Sequence, residues 1–498
     1  MKILTSEQIR EIDAKTISHD DISSLQLMKR AATAFYYWFT DKYTDKDRLT
    51  LVVAGVGNNG GDGLVVARLL HKAGYNVSVC IVEYSERYTE DCAHNVRRVK
   101  AENIPYKKIT LTEEIPDFTK YDILIDGLFG TGLSREVTGI AAEVIQRMND
   151  SGKIIIGIDV PSGLFLDRKT TFAVQATETV TFQIPKLELF LLDNYRFSGN
   201  VDIVNIGLSE KAIGEAETHV FFTEKRDIQP VIPPLSKFAH KGTQGHALIV
   251  GGSLGKTGSV CLSAKAALKS GCGLVTAFLP KCGTAVIQSG FPEAMAIEDE
   301  NENYITDIVF DISPDAVGIG IGLSQMPETQ DALHRFLQKN KLPLVVDADA
   351  LNILAQHPEW LKLLPSKTIL TPHPKELSRL IGACREDYDK IDKLRVFARE
   401  HNVIIVLKGA YSLIVDSDNV FVNSSGTPAL ATAGSGDVLT GIITGLLAQK
   451  YAPLDAAKAG VYLHGLTANL TQKHIHPRSF TASDIIENIG NAYFELEK

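Results

Sequence analysis

Short aliphatic runs that end in an acid recur along this chain, and they constrain its fold more than any other feature. In the first half, residues 49–54 and 77–83 read as buried strands separated by a helix over 64–73. Two later runs, Ile123-Leu124-Ile125-Asp126 and residues 154–159, end in Asp126 and Asp159, with Gly127 and Pro161 close behind. Strands alternating with helices predict a parallel sheet whose loops gather at its carboxyl edge, where such folds bind ligands. The second half repeats the pattern at residues 247–250, 344–347, 368–371 and 404–407. Its closing helices, over 438–449 and 456–470, are apolar on several faces, which predicts burial. The expected architecture is α/β, with a doubly wound sheet in each half.

At the start of the chain, Thr5 or Ser6 can cap a helix over 7–13, and a second helix begins at 24–32. A length of 498 residues calls for two or three domains. The polar stretch 208–234, ending in Pro230-Val231-Ile232-Pro233-Pro234, reads as the linker between them. With 44% hydrophobic and 22% charged residues the chain has the composition of a soluble globular protein. A net charge of −9 argues against nucleic-acid or anionic-membrane partners, which need a basic face. The six cysteines form no C-x-x-C pair and read as reduced thiols. Charges come too early for a signal-peptide core, and no apolar run approaches membrane-spanning length. A cytoplasmic enzyme, working as a homo-oligomer, is expected.

In the first half, Gly55-Val56-Gly57-Asn58-Asn59-Gly60 formally matches the dinucleotide fingerprint, with Glu83 near the position of a ribose-binding acid. A tight strand–helix turn would look the same. What sets the loop apart is Asn58-Asn59-Gly60-Gly61-Asp62-Gly63, where three polar side chains crowd a loop in which a plain fingerprint needs mainly small groups. Asp126-Gly127-Leu128-Phe129-Gly130-Thr131-Gly132-Leu133 and Asp159-Val160-Pro161-Ser162-Gly163 fall on the same sheet edge. Asn, Asp and Ser oxygens converging there suit a hard cation, although each acid alone could simply cap its loop.

These motifs resemble the NAD(P)H-hydrate epimerase domain over residues 1–215. Ser24-Leu25-Gln26-Leu27-Met28 is similar to that family's N-terminal helix, with Lys29 in place of an expected acid. The resemblance implies that Asn58, Asn59, Gly60, Gly61 and Asp62 line the hydrated cofactor, NAD(P)HX. Gly130, Thr131, Gly132, Leu133, Ser134, Arg135 and Glu136 would do so from a second loop. It also implies K⁺ held by Asn59, Asp126 and Ser162, and ligand contact with acid–base work by Asp159.

The second half carries Gly434-Ser435-Gly436-Asp437 before an apolar helix. Closely spaced glycines let backbone N–H groups converge on an anion, and a helix start adds its partial positive charge. An acid in the first helical turn can then act on a hydroxyl beside a phosphate. Alone, the string could be a capped loop–helix junction. Its companions are Lys241-Gly242-Thr243, Asp347-Ala348-Asp349-Ala350-Leu351-Asn352, Thr371-Pro372-His373-Pro374 and Leu407-Lys408-Gly409-Ala410. Together they resemble the ADP-dependent NAD(P)H-hydrate dehydratase domain, a ribokinase-like fold, over residues 228–498. Nucleotide would then lie at Lys408, Gly409, Ala410, Tyr411, Ser412 and Gly436, with Mg²⁺ on its phosphates. The hydrate would meet Ser259, Gly322, His373 and the catalytic Asp437. Ser259 stands where Ala is expected, and Gly320-Ile321-Gly322-Leu323-Ser324 departs from Gly-Pro-Gly-Leu-Gly.

The two resemblances imply one repair route for NAD(P)HX, with epimerisation in the first half and ADP-driven dehydration in the second. The alternatives are a vitamin-alcohol kinase for the second half, and a Rossmann dehydrogenase or catalytically silent binding module for the first.

Overall fold

The aliphatic runs of the first half become β1 (Thr50–Ala54), β2 (Val77–Val82), β3 (Tyr106–Ile109), β4 (Ile123–Gly127), β5 (Ile154–Ile158), β6 (Glu178–Phe182) and β7 (Asn200–Val204). The computed structural model describes Met1–Lys498 and divides into two units, Met1–Thr218 and His219–Lys498. In the first unit all seven strands are parallel, in the order β3-β2-β1-β4-β5-β6-β7. Alternate residues of β1 feed two cores. Val52 and Ala54 pack with helices Ser6–Asp20, Ser24–Lys42 and Asn58–Lys72, while Leu51 and Val53 pack with helix Gly139–Asp150. The strand order reverses between β1 and β4, which opens a crevice beyond their carboxyl ends.

Thr5 caps the first helix in a capping box with Gln8, and that helix runs on to Asp20. The helix expected over 64–73 instead begins at Asn58. Asn, Gly and Asp are poor helix formers, so this start is hidden from propensity and is set by packing. A Cβ on Gly60 would lie 2.0 Å from the Gly55 carbonyl oxygen, so only glycine lets the helix approach the end of β1.

The second unit holds β8 (Val220–Thr223), β9 (His246–Val250), β10 (Leu274–Leu279), β11 (Met295–Glu298), β12 (Ala316–Ile319), β13 (Leu344–Val346), β14 (Ile369–Leu370), β15 (Ile404–Leu407), β16 (Leu413–Val415) and β17 (Val420–Asn423). They form one sheet, β11-β10-β9-β12-β13-β14-β15-β16-β17-β8, parallel except where β16 runs against β15 and β17. Of helix Ser435–Ala448, every residue but Gly436 and Asp437 is buried. Helix Pro453–Thr471 is buried along most of its length, as its all-round apolar pattern predicts. All six cysteines are free, and Cys80, Cys92 and Cys272 are buried. No helix is long and apolar enough to cross a membrane.

The divide at Thr218 and His219 falls within the expected linker 208–234, but that stretch carries structure on both sides of it. Helix Glu210–Glu215 places Ala212 in the first unit's core, and β8 joins the second sheet along β17. The four residues of β8 are too few to show a pattern amid flanking polar sequence. They are nonetheless held, because Phe222 is buried and the rings of Phe221 and Phe421 stack at 5.4 Å. A chain beginning at Asp227 therefore lacks an edge strand. It should melt about 3 °C or more below one beginning at His219, since burying one large apolar side chain is worth about 1.5–3 kcal/mol. Thermal unfolding followed by circular dichroism checks this.

Candidate functional site

A cavity of about 570 Å³ opens at the strand-order reversal of the first unit. Helix Asn58–Lys72 brings Asn58, Asn59 and Asp62 to it, and the loop after β4 brings Gly130, Thr131, Gly132, Leu133, Ser134 and Arg135. Asp159 reaches it from the turn after β5, with its own backbone at a φ of +65°. Of the expected lining residues, Gly60 and Gly61 face packed neighbours instead, Gly61 against Met28, and Glu136 is exposed outside the cavity. Glu83 is not a ribose ligand in this geometry. It accepts hydrogen bonds from Lys108 Nζ and Tyr88 Oη, both at 2.5 Å, and does not line the cavity.

The cavity is acidic. Asp13, Asp62, Asp91 and Asp159 all line it, together with Arg10. Burial pushes Asp62 well above the usual carboxylate range, and the charges of Asp159, Asp13 and Asp91 add to this. Burial likewise raises Asp13 to about 6, helped by Asp159 and opposed by Lys186. Asp159 is tied down, since its Oδ1 accepts from Lys186 Nζ at 2.5 Å, Thr181 Oγ1 at 3.1 Å and the Phe182 N–H at 3.0 Å.

Beside this cavity lies a knot of oxygens. Asp126, fully buried at the end of β4, accepts from Ser162 Oγ at 2.5 Å, the Ser162 N–H at 2.7 Å and the Leu128 N–H at 3.2 Å. Burial pushes its carboxyl up to about 6 against the pull of these donors. Asn59 Nδ2 donates to the carbonyls of Phe129 at 2.8 Å and Ile158 at 2.9 Å. That fixes Asn59 Oδ1 as a buried acceptor with no hydrogen-bond partner. A Cβ on Gly127 would come within 3.6 Å of it, so the oxygen faces the loop after β4. An oxygen-only set with an orphaned acceptor fits a hard cation.

In the second unit the motifs converge beyond the carboxyl ends of β12 to β15. Asp347, 1% exposed after β13, binds Lys408 Nζ through Oδ1 at 2.8 Å and Thr440 Oγ1 through Oδ2 at 2.7 Å. Lys408, after β15, lies 4.0 Å from Glu376 Oε2. His373 caps the next helix, its Nδ1 accepting from the N–H groups of Lys375 and Glu376, which leaves Nε2 3.4 Å from Glu376 Oε1. The turn after Lys408 is closed by Ser412 Oγ, which accepts from the Gly409 N–H at 3.3 Å, while Gly409 and Ala410 are exposed and Tyr411 is half-buried.

Gly434 starts helix Ser435–Ala448 with a φ of +83°, a left-handed conformation that a side chain would strain. Gly436 follows, and a Cβ there would sit 3.4 Å from Lys408 Nζ, so the lysine lies against the glycine turn. Asp437 comes next. Burial raises it to about 6, the hydroxyl of Ser259 hydrogen-bonds to it and opposes the rise, Asp347 adds to it and Lys408 counters it. Ser259 therefore touches the acid in this chain. Gly322 lies against Lys256, three residues before Ser259, with a φ of +59°. Ser324 holds a φ of +81°, with its N–H on Asp349 Oδ2 at 3.0 Å.

Sequence reasoning missed several partners. Lys186 is a buried lysine in an apolar run, a placement that demands a counter-charge. His464, the lone imidazole of helix Pro453–Thr471, places Nε2 3.0 Å from the Ser435 carbonyl and 3.1 Å from Ser435 Oγ. A carbonyl only accepts, so Nε2 carries the proton, and burial pushes the ring down to about 4, which keeps it neutral. Asp13, Asp91 and Thr440 carried no motif, and Glu376, at the end of the string from Thr371, carried no role of its own.

Residues 24–188 match the family model described as YjeF-related protein N-terminus, and residues 247–491 match the one described as NAD(P)H-hydrate dehydratase. Relatives named bifunctional NAD(P)H-hydrate repair enzyme Nnr align along nearly the whole chain. The Moorella thermoacetica protein is 33% identical, covering 100% of this chain and 98% of its own length. The Coxiella burnetii protein is 33% identical, covering 97% of this chain and 98% of its own. A Bacillus subtilis structure described as ADP/ATP-dependent NAD(P)H-hydrate dehydratase co-crystallized with ATP/Mg²⁺ is 27% identical with a TM-score of 0.50, covering 56% of this chain and all of that one. With both parts matched in order and full-length relatives at one-third identity, this chain belongs to the bifunctional NAD(P)H-hydrate repair enzyme family.

Proposed function

We infer that this chain repairs hydrated nicotinamide nucleotides in two steps, epimerising R- and S-NAD(P)HX in the first unit and dehydrating the S form with ADP in the second. The observation that carries the reading is Asp437, a half-buried acid in the first turn of a helix behind a glycine turn, with Lys408 beside it. The free thiols suit a cytoplasmic setting.

In the dehydratase, Asp437 takes the proton of the 6-hydroxyl as that oxygen attacks the β-phosphorus of ADP, and AMP leaves. Lys408 and the N–H groups of the Gly434–Gly436 turn receive the developing phosphoryl charge. The phosphorylated hydrate then loses phosphate and a neighbouring ring proton, which restores the double bond. Mg²⁺ bound with the nucleotide would supply charge neutralisation on its phosphate oxygens, beside Asp437. Lys408, Gly409, Ala410, Tyr411, Ser412 and Gly436 hold the nucleotide, and Ser259, Gly322 and His373 the hydrate.

In the epimerase, the ring nitrogen's lone pair expels the hydroxyl and water returns to either face of the iminium. Asp159 contacts the ligand, and its charge, anchored by Lys186, opposes the cationic ring. Asn59, Asp126 and Ser162 would hold K⁺, whose charge would offset that of the buried Asp126 carboxylate.

Asp437→Asn should lower ADP-dependent S-epimer dehydration about 10²–10⁴-fold with ADP binding largely kept; turnover near wild type would remove Asp437 from the base role. Because the base must be ionised and burial raises it to about 6, wild-type dehydration should fall as pH drops through that value. A rate profile in restored NADH absorbance checks this.

Asp159→Ala, and separately removal of K⁺, should suppress R-epimer consumption and spare S-epimer dehydration. Chromatography of each epimer, corrected for spontaneous exchange, gives both rates. Equal losses on the two epimers would contradict the two-site reading.

A further inference from the structure

Three acids meet in the cavity of the first unit from different elements: Asp13 from helix Ser6–Asp20, Asp62 from helix Asn58–Lys72, and Asp159 from the turn after β5. They are not equivalent. Asp159 Oδ1 already accepts three donors, the Lys186 ammonium among them, so that oxygen has no acceptor capacity left. Asp62 is influenced by burial and by the charges of Asp159, Asp13 and Asp91, with no hydrogen-bond donor among these influences. Burial and the negative charges of Asp159, Asp13 and Asp91 favour the neutral form of Asp62, and a neutral carboxyl lining the cavity can give up its proton where oxygen leaves.

We propose that Asp62 carries the proton of the epimerase step and that Asp13, from the N-terminal helix, is the positioning charge that tunes it. Asp159, fixed by Lys186, serves as the counter-charge to the cationic ring, and the proton role attached to it by resemblance falls to Asp62. The proposal rests on the epimerase reading. The step balances without any further reactant. The C6–O bond breaks with its electrons going to oxygen, which takes the Asp62 proton and leaves as water. The ring nitrogen's lone pair forms the C6=N bond. Water then adds to the other face, the nitrogen recovers its pair, and the surplus proton returns to Asp62.

The charged and titratable groups around Asp62 are Asp13 and Arg10 from the first helix, Asp91 and Cys92 from helix Glu90–Ala101, Asp159 with Lys186, and Arg135 from the loop after β4. Removing the negative charge of Asp13 weakens the hold of Asp62 on its proton. The alkaline limb of the epimerase profile then moves to lower pH.

The test uses the full chain, purified R-NADPHX without ADP, and chromatographic separation of epimers with the spontaneous rate subtracted. Asp62→Asn, close in shape to a neutral acid, should lower kcat about 10²–10⁴-fold with KM within about threefold, while S-epimer dehydration with ADP persists. Asp13→Asn should keep most of the activity at its optimum and shift the alkaline limb to lower pH. Asp62→Asn epimerising within about threefold of wild type would overturn the assignment, given the 10²–10⁴-fold expected for a proton carrier. An unmoved profile in Asp13→Asn would overturn it too, and decides alone if Asp62→Asn does not fold. A wild-type chain that leaves the epimers at their spontaneous rate overturns the epimerase reading itself, and the assignment with it.

Discussion

Asp347 is where the second unit's chemistry and its fold depend on one side chain. Its two oxygens join Lys408 at the end of β15 to Thr440 on helix Ser435–Ala448, so a single buried carboxylate fixes a lysine and a helix relative to the end of β13. A buried ion pair of this kind adds little net stability over an apolar replacement, yet losing one partner costs about 3–5 kcal/mol because the other charge stays buried. The arrangement therefore sets position more than it adds stability. Lys408 stands against Gly436 because Asp347 holds it there, and Asp437 feels both charges.

The first unit uses the same device twice. Lys186 holds Asp159 at the cavity wall, and Ser162 holds Asp126 beneath it through both its hydroxyl and its N–H. In each case an acid at a strand end is fixed by a group from a later loop. Burial raises the proton affinity of Asp126 even with its donors in place, and that of Asp13 and Asp62 as well. Among the acids that line the cavity, Asp159 is the one held by a buried lysine.

Much of this was legible in the residues. Aliphatic runs located eight of the seventeen strands to within a residue or two, because parallel strands buried on both faces are continuous apolar runs, while β6, β10 and β12 are as buried and were not picked out. Loop glycines and acids located the sites. Three things were hidden. The start of helix Asn58–Lys72 lay in residues of poor helix propensity and was set by close packing at Gly60. Strand β8 was too short and too polar in its flanks to stand out from a linker. Lys186, Thr440 and His464 carry no motif, and only the fold brings them to Asp159, Asp347 and Ser435. Periodicity reports which face is buried, but not which distant polar groups share that burial.

The pairing of β8 with β17 also bears on how the chain is made. Val220 leaves the ribosome well ahead of its strand partner Val420, because 200 positions separate them. For most of synthesis β8 carries Phe221 and Phe222 with no strand to cover them. Closing so long a loop is entropically slow, and an unpaired apolar edge is a hazard in the interval. Brevity limits that hazard, since four residues flanked by Glu224, Lys225 and Arg226 offer little edge for a foreign strand to extend.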